Sequence, residues 1–263
     1  MSIQIGAQLY TVCKYCQTLE SFADTLARVA EIGYKTVQVS GCCAYDPHWL
    51  KEQLDRNGLT CELTHPDTAD IANKSAQLMA DQAIYNCQYI GIGFLPPQHR
   101  GTAAKVRNFV GQFVDASRTI RDLGGKLMYH NHWFEFDKLD GKDVIERILE
   151  DFPEDSIDFT LDLGWAAFAG KDVVELIKML DGRLSRIHLK DYADMPEDGS
   201  IDTVAYLRPI YEGKLPYDDY INALSKVGCE YMLVEQDYNY GECPFDCLRR
   251  SYENVTKRFP NVK

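Results

Sequence analysis

Apolar and polar positions along this chain recur with two periods. Within 126–132, Leu127, Tyr129 and Asn131 alternate with Met128, His130 and His132. Within 185–190, Ile187 and Leu189 alternate with Arg186, His188 and Lys190. This two-residue repeat is that of a strand with two unlike faces. The same reading gives strands over 3–9, 36–40, 61–65, 89–93, 126–131, 158–163, 185–190 and 231–237. Between them the period lengthens. Leu19, Phe22, Ala23, Leu26, Val29, Ala30 and Ile32 lie on one face of a helix over 19–32, and Gly33 ends it. Further helices are expected over 102–123, 173–180 and 220–227, each with a glycine close behind.

Eight strands alternating with helices predict an α/β fold, a single (β/α)8 TIM barrel spanning 1–263. An open doubly wound sheet is the alternative. Such a sheet usually carries a glycine-rich turn after its first strand, where this chain reads Tyr10-Thr11-Val12-Cys13-Lys14. The stretch 192–215 is long for a barrel loop and is expected to be a lid over the site.

Composition narrows the function. Forty acidic residues against 28 Lys and Arg give a net charge of −12, which disfavours nucleic acid and anionic membrane surfaces as partners. The opening six residues lack the pattern of a secretory signal, and no run approaches a transmembrane length. The nine cysteines are odd in number and are expected as reduced thiols in a reducing, cytoplasmic compartment. Cys13-x-x-Cys16 has no second such pair at zinc-site spacing. Phosphate-binding loops and dinucleotide fingerprints are missing, so no nucleotide cofactor is expected.

The polar face of the strands carries the chemistry. Gln8, Gln38, His65, His130, His132, Asp162, His188, Lys190, Glu235 and Asp237 fall at strand carboxyl ends, where barrel enzymes build their sites. Imidazoles mixed with carboxylates suit one divalent cation: Mn²⁺ first, with Zn²⁺ or Co²⁺ as alternatives.

The segments Tyr129-His130-Asn131-His132-Trp133-Phe134-Glu135-Phe136, Leu161-Asp162-Leu163-Gly164-Trp165, Arg186-Ile187-His188-Leu189-Lys190-Asp191 and Leu233-Val234-Glu235-Gln236-Asp237 resemble those of the sugar phosphate isomerase/epimerase family of xylose isomerase-like barrels. The resemblance runs over essentially the whole chain. Its relatives include ketose 3-epimerases, inosose isomerases and dehydratases, and the endonuclease IV group, the last at odds with the charge. It implies one metal held by Glu, Asp, His and Glu. Asp162, His188 and Glu235 match the last three, and His130 stands where the first glutamate usually does. The His-Asn-His variant looks more like the inosose dehydratase branch.

Such a cation would polarise a sugar carbonyl and stabilise an enediolate. Glu235 is the expected base, with His65 or His132 returning the proton. Gln8, Gln38, Trp165 and Lys190 are expected to bind substrate, and Asp191 and Asp237 to orient ligands. The expected function is isomerisation or epimerisation of a small keto-sugar, sugar phosphate or cyclitol. A lyase is the alternative, and a non-catalytic sugar-binding subunit is a third reading. Homo-oligomerisation is left open.

Overall fold

The computed structural model describes residues 3–152 and 156–262; Met1, Ser2 and Lys263, which fall within the expected domain, lie outside the described residues. Eight parallel strands close into a barrel: β1 (Gln4–Gln8), β2 (Thr36–Ser40), β3 (Thr60–His65), β4 (Tyr89–Ile92), β5 (Lys126–His130), β6 (Ile157–Asp162), β7 (Arg186–Leu189) and β8 (Tyr231–Val234). Each pairs with its neighbour in the chain, and β8 returns to β1. The single-barrel fold expected from the alternation is therefore the fold observed.

The outward strand residues Ile5, Ala7, Val37, Ile187 and Leu189 are buried beneath the helices. Helix α1 (Leu19–Ile32) starts with a capping box between Thr18 and Ser21 and stops at Gly33, whose φ of 125° suits glycine. Helices α2 (Pro47–Asn57) and α3 (Thr68–Ile84) begin at Asp46 and Asp67, whose carboxylates accept backbone N–H groups of the first turn. The ring continues with α4 (Ala103–Gly111), α5 (Val114–Asp122), α6 (Val144–Asp151), α7 (Leu163–Phe168), α8 (Val173–Met179), α9 (Tyr217–Leu224) and α10 (Pro244–Arg258).

Two expectations change. The helix expected over 102–123 is two helices, broken at Gln112–Phe113. There Gln112 and Phe113 donate to the carbonyls three residues back, of Phe109 and Val110, and Phe113 (φ −111°, ψ −4°) buries its ring edge-on to Phe109, at 4.9 Å between centroids. Burying both rings outweighs one continuous hydrogen-bond ladder, and an apolar stripe does not reveal such a break. The helix expected over 220–227 starts earlier, at Tyr217, directly after Pro216.

The interior is layered. Leu63, Met128 and Leu233 form a small cluster of their own, separate from the main core. Below it, Arg186 lies over the Tyr89 ring and pairs with Glu62 and Glu230, at 3.0 Å each. Above it, two residues further along the same strands, come His65, His130 and Glu235. Among the described residues no helix is long and apolar enough to cross a membrane.

Candidate active site

At the carboxyl ends of β5 to β8, His130, Asp162, His188 and Glu235 each offer one ligand atom, and these four atoms lie within 4.8 Å of one another. All four residues are buried. His188 Nδ1 is 3.0 Å from Glu235 Oε2, and His130 Nε2 is 4.0 Å from the same oxygen. The other His188 nitrogen, Nε2, faces Gln38 Oε1 at 2.7 Å. With Gln38 Oε1 accepting from Nε2, Nδ1 is the atom turned to Glu235, and it would be the ligand atom for a bound cation.

Backbone contacts hold the donors. Asp162 caps α7 by accepting the Trp165 N–H at 2.8 Å. Asn131 Oδ1 accepts the Asp162 N–H at 3.0 Å, which ties the end of β5 to that of β6. The Tyr217 hydroxyl donates to Lys190 O at 2.6 Å and accepts the Lys190 N–H at 3.0 Å. A Cβ at Gly164 would strike the Lys190 carbonyl, so this strand end is packed backbone against backbone. Asn131 and Tyr217 were not singled out from the sequence: a polar residue inside a motif and a tyrosine at a helix start give no signal of this role.

Lys190 is 1% exposed, and its ammonium lies 3.1 Å from Asp162, 3.0 Å from Glu235 and 2.8 Å from Asp237. Burial opposes its charge, but the three carboxylates outweigh that and hold its pKa well above the ordinary lysine value. Burial also opposes ionisation of Glu235. Lys190 and His188 prevail, and the carboxyl stays well below the usual range. Asp162 is pushed up to about 6, chiefly by burial. Three carboxylates and one ammonium leave two formal negative charges in a buried cluster. A divalent cation would cancel them, so the donor set fits such an ion in charge as well as in ligand type.

Beside this cluster opens a cavity of about 550 Å³, lined by His65, His130, His132, Trp165, Glu235 and Asp237, among others. His65 sits against Gly91 and Gly93; a Cβ at Gly91 would overlap its ring. Its Nε2 has no hydrogen-bond partner, and burial lowers its pKa to about 3. His132 is also lowered to about 3 by burial, and its ring stacks parallel on Phe134 at 5.2 Å.

Other residues expected at the site are placed differently. Gln38 is fully buried against His188, and Gln8 accepts the Tyr10 N–H at 3.2 Å; neither lines the cavity. Lys190, expected to bind substrate, is engaged by carboxylates beneath the floor. Trp165 does line the cavity, with the Lys190 ammonium 4.7 Å from its ring centre. Asp191, expected to orient ligands, instead accepts the backbone N–H groups of Tyr192, Tyr211, Gly213 and Leu215. It fastens the excursion over 192–215, which also carries an antiparallel ribbon of Asp191–Ala193 with Tyr206–Arg208. A Cβ at Gly213 would strike the Asp191 carboxylate. Glu135 accepts from Tyr129 OH and from the N–H groups of His132 and Leu95, and so shapes the loop after β5.

The family model for the xylose isomerase-like TIM barrel matches residues 26–248, and the chain belongs to that family. An inosose dehydratase of Geobacillus kaustophilus is 22% identical over 244 residues, covering 81% of this chain and 76% of its own. A solved sugar phosphate isomerase/epimerase of Parabacteroides distasonis superposes with a TM-score of 0.79 at 18% identity, over 100% of this chain and 96% of that one. The IOLI protein, solved with a bound zinc atom, superposes with a TM-score of 0.72 at 14% identity, covering 97% of each chain.

Proposed function

We propose that this member of the xylose isomerase-like TIM-barrel family is a divalent-metal-dependent isomerase or epimerase. It removes a proton α to the carbonyl of a small keto-sugar or cyclitol. The observation that carries the reading is the convergence of four buried donor residues beside a cavity walled by imidazoles. His130, Asp162, His188 and Glu235 would hold the cation. The zinc in the IOLI structure and the imidazole-rich donor set both favour a transition-series ion over magnesium. When bound, the cation would polarise the substrate carbonyl.

The protein's own groups would move the proton. Glu235 is the carboxylate of the donor cluster that reaches the cavity, and it is held ionised there, so it would serve as the base of the site. The proton would return from Glu235 itself, or from water that the neutral rings of His65 and His132, facing the same space, hydrogen-bond in place. Return to the neighbouring carbon isomerises, and return to the opposite face of the same carbon epimerises. The parallel stack on Phe134 fixes the plane of His132.

A specific feature favours a lyase as the second reading. Position 130 carries an imidazole, so the site has one cavity-facing base carboxylate at the donor cluster and several neutral imidazoles. Elimination can run on that one carboxylate, which takes the α-proton and passes it to the departing hydroxyl so that water leaves, whereas two-sided epimerisation needs a second base. The inosose dehydratase relative agrees with it.

The test is metal analysis of the purified protein, followed by incubation with keto-sugars and inososes in D₂O with Mn²⁺ or Zn²⁺, read by NMR. One equivalent of metal and deuterium at an α-carbon are expected, and Asp162→Ala should lose both. Exchange that is unaffected by chelation would overturn the reading.

A further inference from the structure

The charged residues lining the cavity are acidic: Asp67, Glu235 and Asp237. Among the described residues no Lys or Arg lines it. The nearest buried cation, Lys190, is bound by three carboxylates. Arg100 lies flat over Phe134, 3.2 Å from the ring centre, and donates to Leu95 O at 2.8 Å. A neighbouring groove of about 430 Å³ shares Tyr10, Asp237 and Tyr238; its basic residue, Lys14, is matched there by Asp237 and Glu242.

Barrels that take phosphorylated substrates commonly hold the phosphate on the loops after the seventh and eighth strands, at the N-terminus of a short extra helix. In this chain those two loops give the cavity Val204, Asp237 and Tyr238. The next helix, α10, starts only at Pro244 and has Asp246 in its first turn. A phosphate dianion on these loops would meet carboxylates and no basic side chain; the proposed cation is engaged by the donor cluster, whose two negative charges it only cancels.

The rim has another character. Tyr10, Phe94, Val204 and Tyr238 line the mouth and are 44%, 44%, 41% and 43% exposed. They come from the loops after β1, β4, β7 and β8, so they form a collar around the opening rather than one patch. Exposed apolar side chains gathered at a pocket mouth mark a contact surface for an apolar group. Cavities of roughly 300–1,000 Å³ hold drug-sized ligands, and this one, at about 550 Å³, has room beyond a single hexose ring.

We infer that the substrate is an uncharged, unphosphorylated sugar or cyclitol bearing an apolar substituent, with its hydroxyls at the donor cluster and the substituent inside the collar. The inference rests on the proposed reading of the donor cluster as the place where the sugar is handled.

Trp133 and Trp165 line the cavity, so tryptophan fluorescence of the metal-loaded full chain reports binding without turnover. The probes are the phenyl glycosides of the common hexoses, their methyl counterparts, and the 6-phosphate of each. Phenyl glycosides should bind at least tenfold more tightly than the methyl ones. Adding the 6-phosphate should weaken binding at least tenfold. Phe94→Ala with Tyr238→Ala should abolish the phenyl preference, and Val204→Arg should recover at least part of the affinity for the phosphates. Phosphates that bind as tightly as their parents, equal phenyl and methyl affinities, or no glycoside binding at all would overturn the inference. Because these glycosides are inert, the result is independent of solvent exchange. An enzyme that prefers phenyl glycosides but exchanges no deuterium with any ketone would sink the catalytic reading and leave this one standing. Exchange with sugar phosphates alone would do the reverse.

Discussion

Lys190→Met isolates the charge balance of the site. The substitution keeps most of the side-chain volume and removes the ammonium that faces Asp162, Glu235 and Asp237 at 2.8–3.1 Å. Without metal, the buried cluster then goes from two net negative charges to three. Breaking a buried ion pair by removing one partner costs about 3–5 kcal/mol. Asp162, already pushed up to about 6 by burial, would take up a proton and absorb part of that cost at neutral pH. For a chain of this size each kcal/mol lowers the melting temperature by roughly 2–4 °C. Metal-free Lys190→Met should therefore melt roughly 6–20 °C below metal-free wild type. A dication in the donor cluster supplies the missing positive charge and no longer meets the repulsion of the ammonium. Metal should consequently bind the variant at least as tightly as wild type, and the melting deficit should shrink on loading. Calorimetric melting in chelator and in saturating Zn²⁺, with metal titration by calorimetry, measures both. Equal deficits in the two states, or weaker metal binding by the variant, would refute the charge argument.

In chelated protein, His65→Gln should flatten the pH dependence of stability. His65 is held at about 3 against an ordinary 6.5, so as pH falls below about 6.5 the unfolded chain takes up a proton that the folded one refuses, and stability is lost. At pH 5 this costs about 2 kcal/mol relative to pH 8, and the variant should lose that much less on acidification; parallel pH curves would contradict it. His130→Glu puts a carboxylate at the position where the family resemblance implies one, and should retain one equivalent of metal with little change in melting temperature, while α-carbon exchange shifts towards an epimerase-like pattern. A large loss of stability with the other three donors still binding metal would place His130 outside the ligand set. Gly91→Ala puts a methyl into the His65 ring. Overpacking of this kind costs about 1–3 kcal/mol, and turnover should fall more than tenfold while metal content stays near one equivalent; unchanged turnover would remove His65 from the chemistry.

Much of the frame was legible because strand parity is a strong signal. Met128 with His130, and Arg186 with His188 and Lys190, fall on one face by counting alone, and the barrel closes with those residues inside. The convergence of His130, Asp162, His188 and Glu235 was likewise readable as a set of strand ends. What escaped is whatever depends on where a neighbouring strand delivers its side chain. Gln38 reads as a polar group free for substrate until β2 is seen to carry it against His188. Asp191 follows Lys190 directly, yet it turns away to gather four backbone amides. The apolar collar is illegible for a similar reason: Tyr10, Phe94, Val204 and Tyr238 lie on four separate loops, each beyond the reach of any local pattern.

The barrel buries two cations on the same face of one strand, and their surroundings separate structure from function. Arg186 spends its guanidinium on the Glu62 backbone carbonyl and on the Glu62 and Glu230 carboxylates, and lies over Tyr89. Glu230 is half exposed there, so water screens what the pairing leaves over. In that cluster each of the three guanidinium nitrogens donates to a Glu62 or Glu230 oxygen. Four residues along β7 and its end, Lys190 meets three carboxylates in the interior, and the count does not close. His130 Nδ1, Asp162 Oδ2 and Glu235 Oε2 make no hydrogen bond there. Buried charge that is balanced and bonded can be retained for stability alone. Buried charge left unbalanced beside an open cavity is costly to maintain unless something binds there. The sequence presents Arg186 and Lys190 as equivalent positions of one alternation. Only the balance of charges around each separates the lower one, closed within the frame of the barrel, from the upper one, which borders the donor cluster and the cavity.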